Sequence, residues 1–444
     1  MSKYTVEQIM ESVEEQNVRF VRLQFSDVFG ILKNVSIPIS QLKKALEGEI
    51  MFDGSSVEGF ARIEESDMSL KPDLDTWQIF PWDYSEGRIA RLICDVYNDH
   101  GEPFVGDPRC ILRKNLEEAE KMGYTLNVGP EAEFFLFRTD SDGRPTLETH
   151  DQAGYFDLSP VDQGSYARRE MVNDLENMGY EIEASHHECA PGQHEIDFKY
   201  DKALAAADRI QTFKLVVRSV AQRHGLHATF MPKPIYGIAG SGMHMNQSLC
   251  DRDGKNVFYD LEGRDGLSEL AYYYVGGLLK HAKGITAITN PVVNSYKRLI
   301  SGYEAPVYIS WSGRNRSPLV RIPAKRGNST RIELRSPDPC ANPYLAEAVM
   351  LAAGLDGIRN KIEPPASCDF NLYELTHQER KDRGIESLPG TLGEALDELK
   401  KDDVIMGALG DHISKCFIEA KRREYKAFRS RVTPWEIEQY LSKY

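Results

Sequence analysis

Apolar residues recur at every second position in some stretches and at every third and fourth in others, so element type can be read along most of the chain. Residues 5–16 carry helical spacing. "RFVRLQFSDVFGILKNVSIPI" alternates apolar and polar positions around a Ser26-Asp27…Gly30 turn, which predicts a hairpin. "QLKKALEGE" predicts a short helix, and "WQIFPW" and "RIARLICDVY" predict two more strands. Between them "MFDGSSVEGFARIEESDMSLKPDLD" reads as a long loop, of the length that often carries function. Four strands and a helix in about the first hundred residues make a small α+β unit. In "GDPRCILRKNLEEAEKMGY", Asp107 takes the N-cap of a helix and Pro108 its first turn. The domain boundary falls just before it, giving units 1–105 and 106–444. The second unit alternates strands with helices as far as "NPYLAEAVMLAAGLDGIRNKI", a helix opened by Asn342 and Pro343. The remainder, rich in Lys, Glu and Leu, reads as mostly helical.

Four strands of the second unit carry their charge on one face. Alternate side chains of a strand share a face, roughly 7 Å apart. In "GPEAEFFLF", Glu131 and Glu133 point one way while Ala132, Phe134 and Leu136 point the other. "QHEIDFKY" sets Glu195, Asp197 and Lys199 against Ile196 and Phe198. "GMHMNQSL" sets His244, Asn246 and Ser248 against Met243, Met245 and Leu249. "TRIELRS" sets Arg331, Glu333 and Arg335 against Ile332 and Leu334. Any one of these is an ordinary amphipathic edge. Together they predict one curved sheet around a polar interior, where carboxylates flanked by apolar residues require a compensating cation.

Charge and cysteine content narrow the chemistry. The net charge of -14 argues against nucleic acid or an anionic membrane as the main partner. Seven scattered cysteines without a C-x-x-C pair suit a reducing compartment. No secretory leader and no spanning segment is visible, and the expected location is the cytoplasm. The histidine-rich "ASHHECAPGQHEIDFKY" invites a zinc reading. However, Pro191-Gly192 breaks any helix, and the metalloprotease spacing is absent. Several carboxylates with one or two histidines favour Mg²⁺ or Mn²⁺. Glu188 and Glu195 are then the expected ligands, with His186, His187 and His194 surrounding them.

There is no G-x-x-x-x-G-K-[ST] loop. Arginines take its place: Arg298 in "NSYKRL", Arg314, Arg316 and Arg321 in "SGRNRSPLVRI", then Arg326, Arg331 and Arg335. Guanidinium forks beside metal-binding acids suit phosphate and carboxylate recognition. The residues alone therefore reach metal-dependent phosphoryl transfer without a P-loop.

"MFDGSSVEGF", "GPEAEFFLF", "HHECAPGQHEIDFKY", "KPIYGIAGSGMHMNQS", "NSYKRLISGYEAPVYISWSGRNRSPLVRIP" and "TRIELRSPDPCANPYLA" resemble the signatures of type I glutamine synthetases, in order across essentially the whole chain. The resemblance implies an α+β fold, with a β-grasp domain followed by a catalytic domain whose mostly antiparallel sheet forms part of an active-site funnel. It implies ligation of ammonia to glutamate by ATP through γ-glutamyl phosphate, with at least two Mg²⁺ or Mn²⁺ ions per site. Glu133, Glu188 and Glu195 would hold one ion; Glu131, His244 and Glu333 would hold the other. Glutamate or the transferring phosphoryl group would meet Glu133, Gly240, Arg298, Glu304, Arg316 and Arg335. ATP would meet Glu183, Phe198, Lys199, Tyr200, Asn246, Ser248, Arg316 and Arg321. Ammonium would meet Asp53, Ser56, Tyr155 and Glu188, with Asp53 and Glu304 handling protons. The family also implies a dodecamer of two stacked hexamers with shared sites. Asn328 stands where adenylylated relatives carry a lysine, and the chain is short, as in the feedback-inhibited subgroup. In that subgroup Arg62 would mediate inhibition by glutamine, and nitrogen regulators of the GlnR type would be partners.

Overall fold

The computed structural model describes residues 3–60, 67–82, 87–303 and 305–444. Helix α1 (Val6–Glu15) opens with Thr5 and Gln8 in a reciprocal cap, which satisfies donors the first turn leaves free. The strands β1 (Val18–Ser26) and β2 (Leu32–Pro38) form the expected hairpin, turned at Gly30 with φ +79°. After helix α2 (Leu42–Leu46) come β3 (Ile50–Asp53), β4 (Asp67–Ile79) and β5 (Arg88–Tyr97). The sheet order is β2-β1-β5-β4-β3, with β1 and β5 parallel and the other pairs antiparallel.

This corrects the expected loop at both ends. Ile50–Asp53 is a strand paired with Asp67–Leu70, and β4 begins well before "WQIFPW". β3 has only two inward residues, too few to show a period. β4 is interrupted by Pro72, studded with acids and irregular between Asp73 and Gln78, so it reads as a loop.

Helix α3 (Pro108–Lys121) starts the second unit, with Asp107 capping Arg109 N. There β6 (Thr125–Thr139) is the axis of a ten-stranded sheet that also holds β7 (Pro145–Thr149), β8 (Ile182–His187), β9 (Gln193–Phe198), β10 (Asp201–Lys202), β11 (Leu226–Thr229), β12 (Met243–Cys250), β13 (Trp311–Ser312), β14 (Val320–Arg321) and β15 (Ile332–Leu334). Its main path runs β13-β14-β15-β12-β6-β9-β8, antiparallel except for β13 with β14. The four strands expected to share one polar interior are therefore immediate neighbours.

Their apolar faces (Ala132, Phe134, Ile196, Phe198, Met243, Met245, Ile332 and Leu334) are buried in one core. That core includes α4 (Ser165–Asn177) and α5 (Ala203–Arg223), then α6 (Glu269–Lys280), α7 (Ala282–Thr289), α8 (Ser295–Arg298) and α9 (Pro343–Asn360). After α10 (His377–Asp382), the helices α11 (Leu392–Leu399) and α12 (Asp403–Arg429) add Leu396, Ile413 and Phe417 to it, and α13 (Pro434–Tyr440) closes the chain.

The same core takes in Leu23 and Phe25 of the first sheet. A polar clasp reinforces this continuity. The guanidinium of Arg109, 3% exposed, meets Asp95 at 2.6 Å, Asp73 at 2.7 Å and both oxygens of Asp208 at 2.8 and 3.0 Å. Asp208 also accepts from Tyr344 Oη at 2.7 Å.

Candidate active site

The polar face of the curved sheet carries two groups able to hold a cation. In the first, strand register puts Glu131 beside His244 and Asn246 beside Glu333. One donor atom each from Glu131, His244 and Glu333 lie within 4.8 Å of one another. His244 Nδ1 is 3.5 Å from Glu131 and 3.7 Å from Glu333. Both carboxylates already have partners. Arg321 donates to Glu333 at 2.7 Å, Arg335 lies 3.5 Å away, and Asn246 donates to Glu131 at 2.9 Å. Burial raises the Glu131 carboxyl, but His244 and Asn246 outweigh it and hold the group below its ordinary value.

The second group gathers Glu188, Glu195 and His186. His186 lies 3.4 Å from both carboxylates and 3.9 Å from Asp197. It does more than surround Glu188 and Glu195, as the sequence suggested: it joins them. Glu133 is the cross-strand partner of Glu195, and its Oε2 accepts from Gln193 Nε2 at 2.8 Å and Gly242 N at 2.9 Å. Burial, with Glu188 nearby, pushes the Glu133 carboxyl up to about 7. Burial and the neighbouring acids push Asp197 to about 8 and Glu195 well above the carboxylate range. Glu195 Oε1 and Asp197 Oδ1 are buried without a hydrogen-bond partner. Hard oxygen donors left unpaired in a crowd of like charge fit divalent cations of the magnesium class.

A buried anchor sits under this second group. Asp151 Oδ1 accepts from Gly192 N at 3.0 Å and lies 3.2 Å from His187 Nε2, while His187 Nδ1 contacts Glu188 O at 2.7 Å. Asp151 therefore fixes both sides of the turn that bears Glu188, and Gly192, at φ +71°, supplies the turn's left-handed residue. Arg168 donates to His194 Nδ1 at 2.8 Å and to Asp162 at 2.8 Å. His187 and His194 thus support the turn through polar contacts, and His194 with His150 and Asp151 makes a third, buried group of metal-ligand type. A side chain at position 164 would meet the His150 and His194 ring nitrogens at 2.6 and 2.7 Å, so glycine stands there.

Two clefts flank the carboxylates. One, of about 290 Å³, is lined by Glu131, Glu183, Phe198, Tyr200, Asn246 and Ser248, together with Arg331 and Lys325. The other, of about 40 Å³, is lined by Glu133, Glu188, Gly240, His244, Arg298 and Arg335, with Gln193 and Tyr303. Arg298 is buried and anchored on the carbonyls of Arg335, Ser336 and Pro337. Arg335 Nε is a buried donor without an acceptor. An anion in the smaller cleft would supply one.

Other expected residues line neither cleft, although Arg321 and Tyr155 adjoin the two groups and Arg316 hydrogen-bonds to Tyr155. Lys199 pairs with Glu181 and Arg321 with Glu333, and neither lines the larger cleft. Arg316 is exposed and lines neither cleft. Tyr155, 49% exposed, stacks on Phe156 at 4.1 Å and meets His186 edge-on at 5.8 Å. Asp53 is exposed at the end of β3. Its carboxylate takes the Ser55 hydroxyl and amide and the Ser56 hydroxyl, which hold it below its ordinary value. None of its hydrogen bonds reaches the cation-binding groups. Glu304 and Arg62 fall outside the described residues.

Sequence reasoning placed His186 only as a neighbour of Glu188 and Glu195, and it missed Gln193, Tyr303 and Asp151. Asp151 gave no signal, because its role depends on a turn forty residues away.

A cleft of about 290 Å³ and an arginine-lined pocket meeting at paired carboxylate groups suit metal-dependent phosphoryl transfer to an anionic substrate. The comparisons sharpen that class. The β-grasp domain profile of glutamine synthetase matches residues 17–99, and the catalytic domain profile matches 105–440. The chain belongs to the glutamine synthetase family. It is 58% identical over 444 residues to the glutamine synthetase of Clostridium saccharobutylicum, covering 100% of both chains. It is 57% identical to that of Staphylococcus aureus, covering 99% of both. Among solved structures, a GmaS–ADP complex superposes with a TM-score of 0.89 at 35% identity, over 97% of this chain and 99% of that one. Plasmodium falciparum glutamine synthetase superposes with 0.87 at 26% identity, over 99% of each. Enzymes of this family use ATP and divalent metal ions. No helix among the described residues is long and apolar enough to cross a membrane.

Proposed function

We propose that this chain forms glutamine from glutamate and ammonia with ATP, through γ-glutamyl phosphate, in the cytoplasm. The observation that carries the reading is the meeting of the two clefts at the carboxylates: Glu131 lines the larger, and Glu133 and His244 line the smaller. A carboxylate is a poor acyl donor, so its γ-oxygen must first take a phosphoryl group. ATP enters against Phe198, Tyr200, Asn246, Ser248 and Glu183, with its γ-phosphate toward the acids. Arg335 and Arg298 hold the glutamate carboxylates, Arg335 through its free Nε–H. Mg²⁺ or Mn²⁺ ions, one on Glu131, His244 and Glu333 and one on Glu133, Glu188 and Glu195 with His186 beside them, would neutralise phosphate charge and polarise the transferred group. Ammonium is held by Asp53, Ser56, Tyr155 and Glu188, and Asp53 takes its proton. Glu304 closes the glutamate pocket.

Asp53 stands on the first sheet, and its hydrogen bonds among the described residues go to Ser55 and Ser56; it reaches the site of a neighbouring subunit in a ring, within a dodecamer of two hexamers. Arg62 senses glutamine, and a GlnR-type regulator is the partner that reads the inhibited enzyme.

Phosphate release with glutamate, ATP and either ammonium or a panel of primary amines tests the reaction. Turnover that prefers an amine to ammonium overturns it. Ring sharing is tested by co-expressing Asp53→Ala and Glu304→Ala chains under separate tags. Each homo-oligomer should be inactive, and mixed rings should recover activity. Mixed rings as inactive as both parents place Asp53 in its own subunit's site or in none.

A further inference from the structure

One departure from the chain's acidic character lies away from the candidate active site. A cleft of about 470 Å³ opens between the β1–β2 hairpin, α5, α12 and the segments around Pro291 and Pro339. Five cations line it (Arg22, Lys33, Lys214, Arg218 and Lys421) and no acid does, on a chain of net charge -14. Its remaining wall is largely apolar, with Phe29, Phe230, Met231 and Phe417.

The cations are unequally satisfied. Lys33 pairs with Asp27 at 3.3 Å, and Lys421 with Glu424 at 2.8 Å. Lys214, only 8% exposed, makes no ion pair among the described residues, Asp338 acting on it only from a distance; its Nζ finds the Ala341 carbonyl at a long 3.4 Å and the Phe230 ring at 5.9 Å. Burial, with Arg218 alongside, pushes its ammonium down to about 8. The guanidinium of Arg218 lies over the other end of the same environment, 5.3 Å from the Phe230 ring, and pairs with no acid among the described residues. A buried ammonium beside a second unpaired cation is unfavourable unless an anion completes the set.

We propose that this cleft is a binding site for a small organic anion, a phosphate or carboxylate carried on an apolar body. The anionic head sits between Lys214 and Arg218, and the body lies against Phe230, Phe29 and Phe417. Because the hairpin and α5 belong to different sheets' layers, the site exists only in the whole chain.

The test is calorimetric titration of the full-length protein with phenyl phosphate, phenylacetate and phenol, with Mg²⁺, ADP and glutamate saturating the active site. Phenyl phosphate or phenylacetate should bind saturably and phenol should not; the tighter of the two anions identifies the head group. Lys214→Met and Arg218→Gln should each weaken that binding by about tenfold or more, the worth of one charge-assisted hydrogen bond, while ADP binding stays at the parent level. Arg218→Gln carries the test alone if Lys214→Met does not fold. Absence of saturable anion binding, equal binding of phenol, or undiminished binding by a folded variant overturns the proposal.

Discussion

The two cation-binding groups on one sheet face are built on opposite electrostatic terms. Glu131, His244 and Glu333 come from three neighbouring strands, and every carboxylate already has a nitrogen beside it. Glu188, Glu195 and His186 come from one hairpin, crowded by Glu133 and Asp197, and two of the acids' oxygens have no partner at all. The first group keeps its shape by itself. The second is held together mainly from below, by Asp151, and stores like-charge repulsion that protonation holds off until a cation takes the protons' place. A site made this way has one preset half and one half that depends on its ion.

The contrast can be broken from either side. Glu333→Gln should cause the largest loss of stability in EDTA-treated protein. It leaves Arg321 and Arg335 without their buried counter-charge, a change that costs on the order of 3–5 kcal/mol. Denaturant unfolding measures it, and a shift near zero would show that the first group is not internally balanced. Glu133→Ala should lower kcat on the order of 10²–10³-fold, as for loss of one preorganised charge group, with the oligomer intact by gel filtration. Near-normal turnover at saturating Mg²⁺ would remove Glu133 from the chemistry. For Asp151→Asn, half-maximal activity should need roughly 10–100-fold more metal, the usual effect of loosening a ligand's support. The parent's metal dependence in this variant would mean that the turn bearing Glu188 holds itself. Glu195→Gln gives the smallest effect and the opposite sign from Glu333→Gln. At neutral pH, metal-free protein should gain about 1–3 kcal/mol of stability, because the amide removes the cost of protonating Glu195 on folding, a cost that appears as pH rises above the ordinary carboxylate range. A loss there would refute the stored repulsion.

Much of this site was legible because strands have a period of two. Alternation alone assigned Glu131, Glu133, Glu195, His244 and Glu333 to polar faces, and the sheet order made those faces adjacent. Caps at Asp107 and Asn342 marked two helix starts to the residue. Local pattern failed where structure depends on distant pairing. β3 is four residues long and becomes a strand only because Asp67–Leu70 lies beside it. Asp151 anchors a turn through contacts that no spacing rule encodes. Lys199 has the right face by alternation but follows the end of β9, where Glu181 captures it.

The clasp at Arg109 bears on how this chain can be divided. Its acids come from the first sheet on one side and from α5 on the other, so a cut near residue 105 strands a buried guanidinium with Asp208 alone and takes both Arg109 and Arg113 away from Asp73 and Asp95. Neither fragment could bury what it then exposes. The family profiles meet between residues 99 and 105, yet the clasp and the shared core both cross that junction. Heat or denaturant should melt it in a single cooperative step, and a protease that opens the junction should consume the molecule entire.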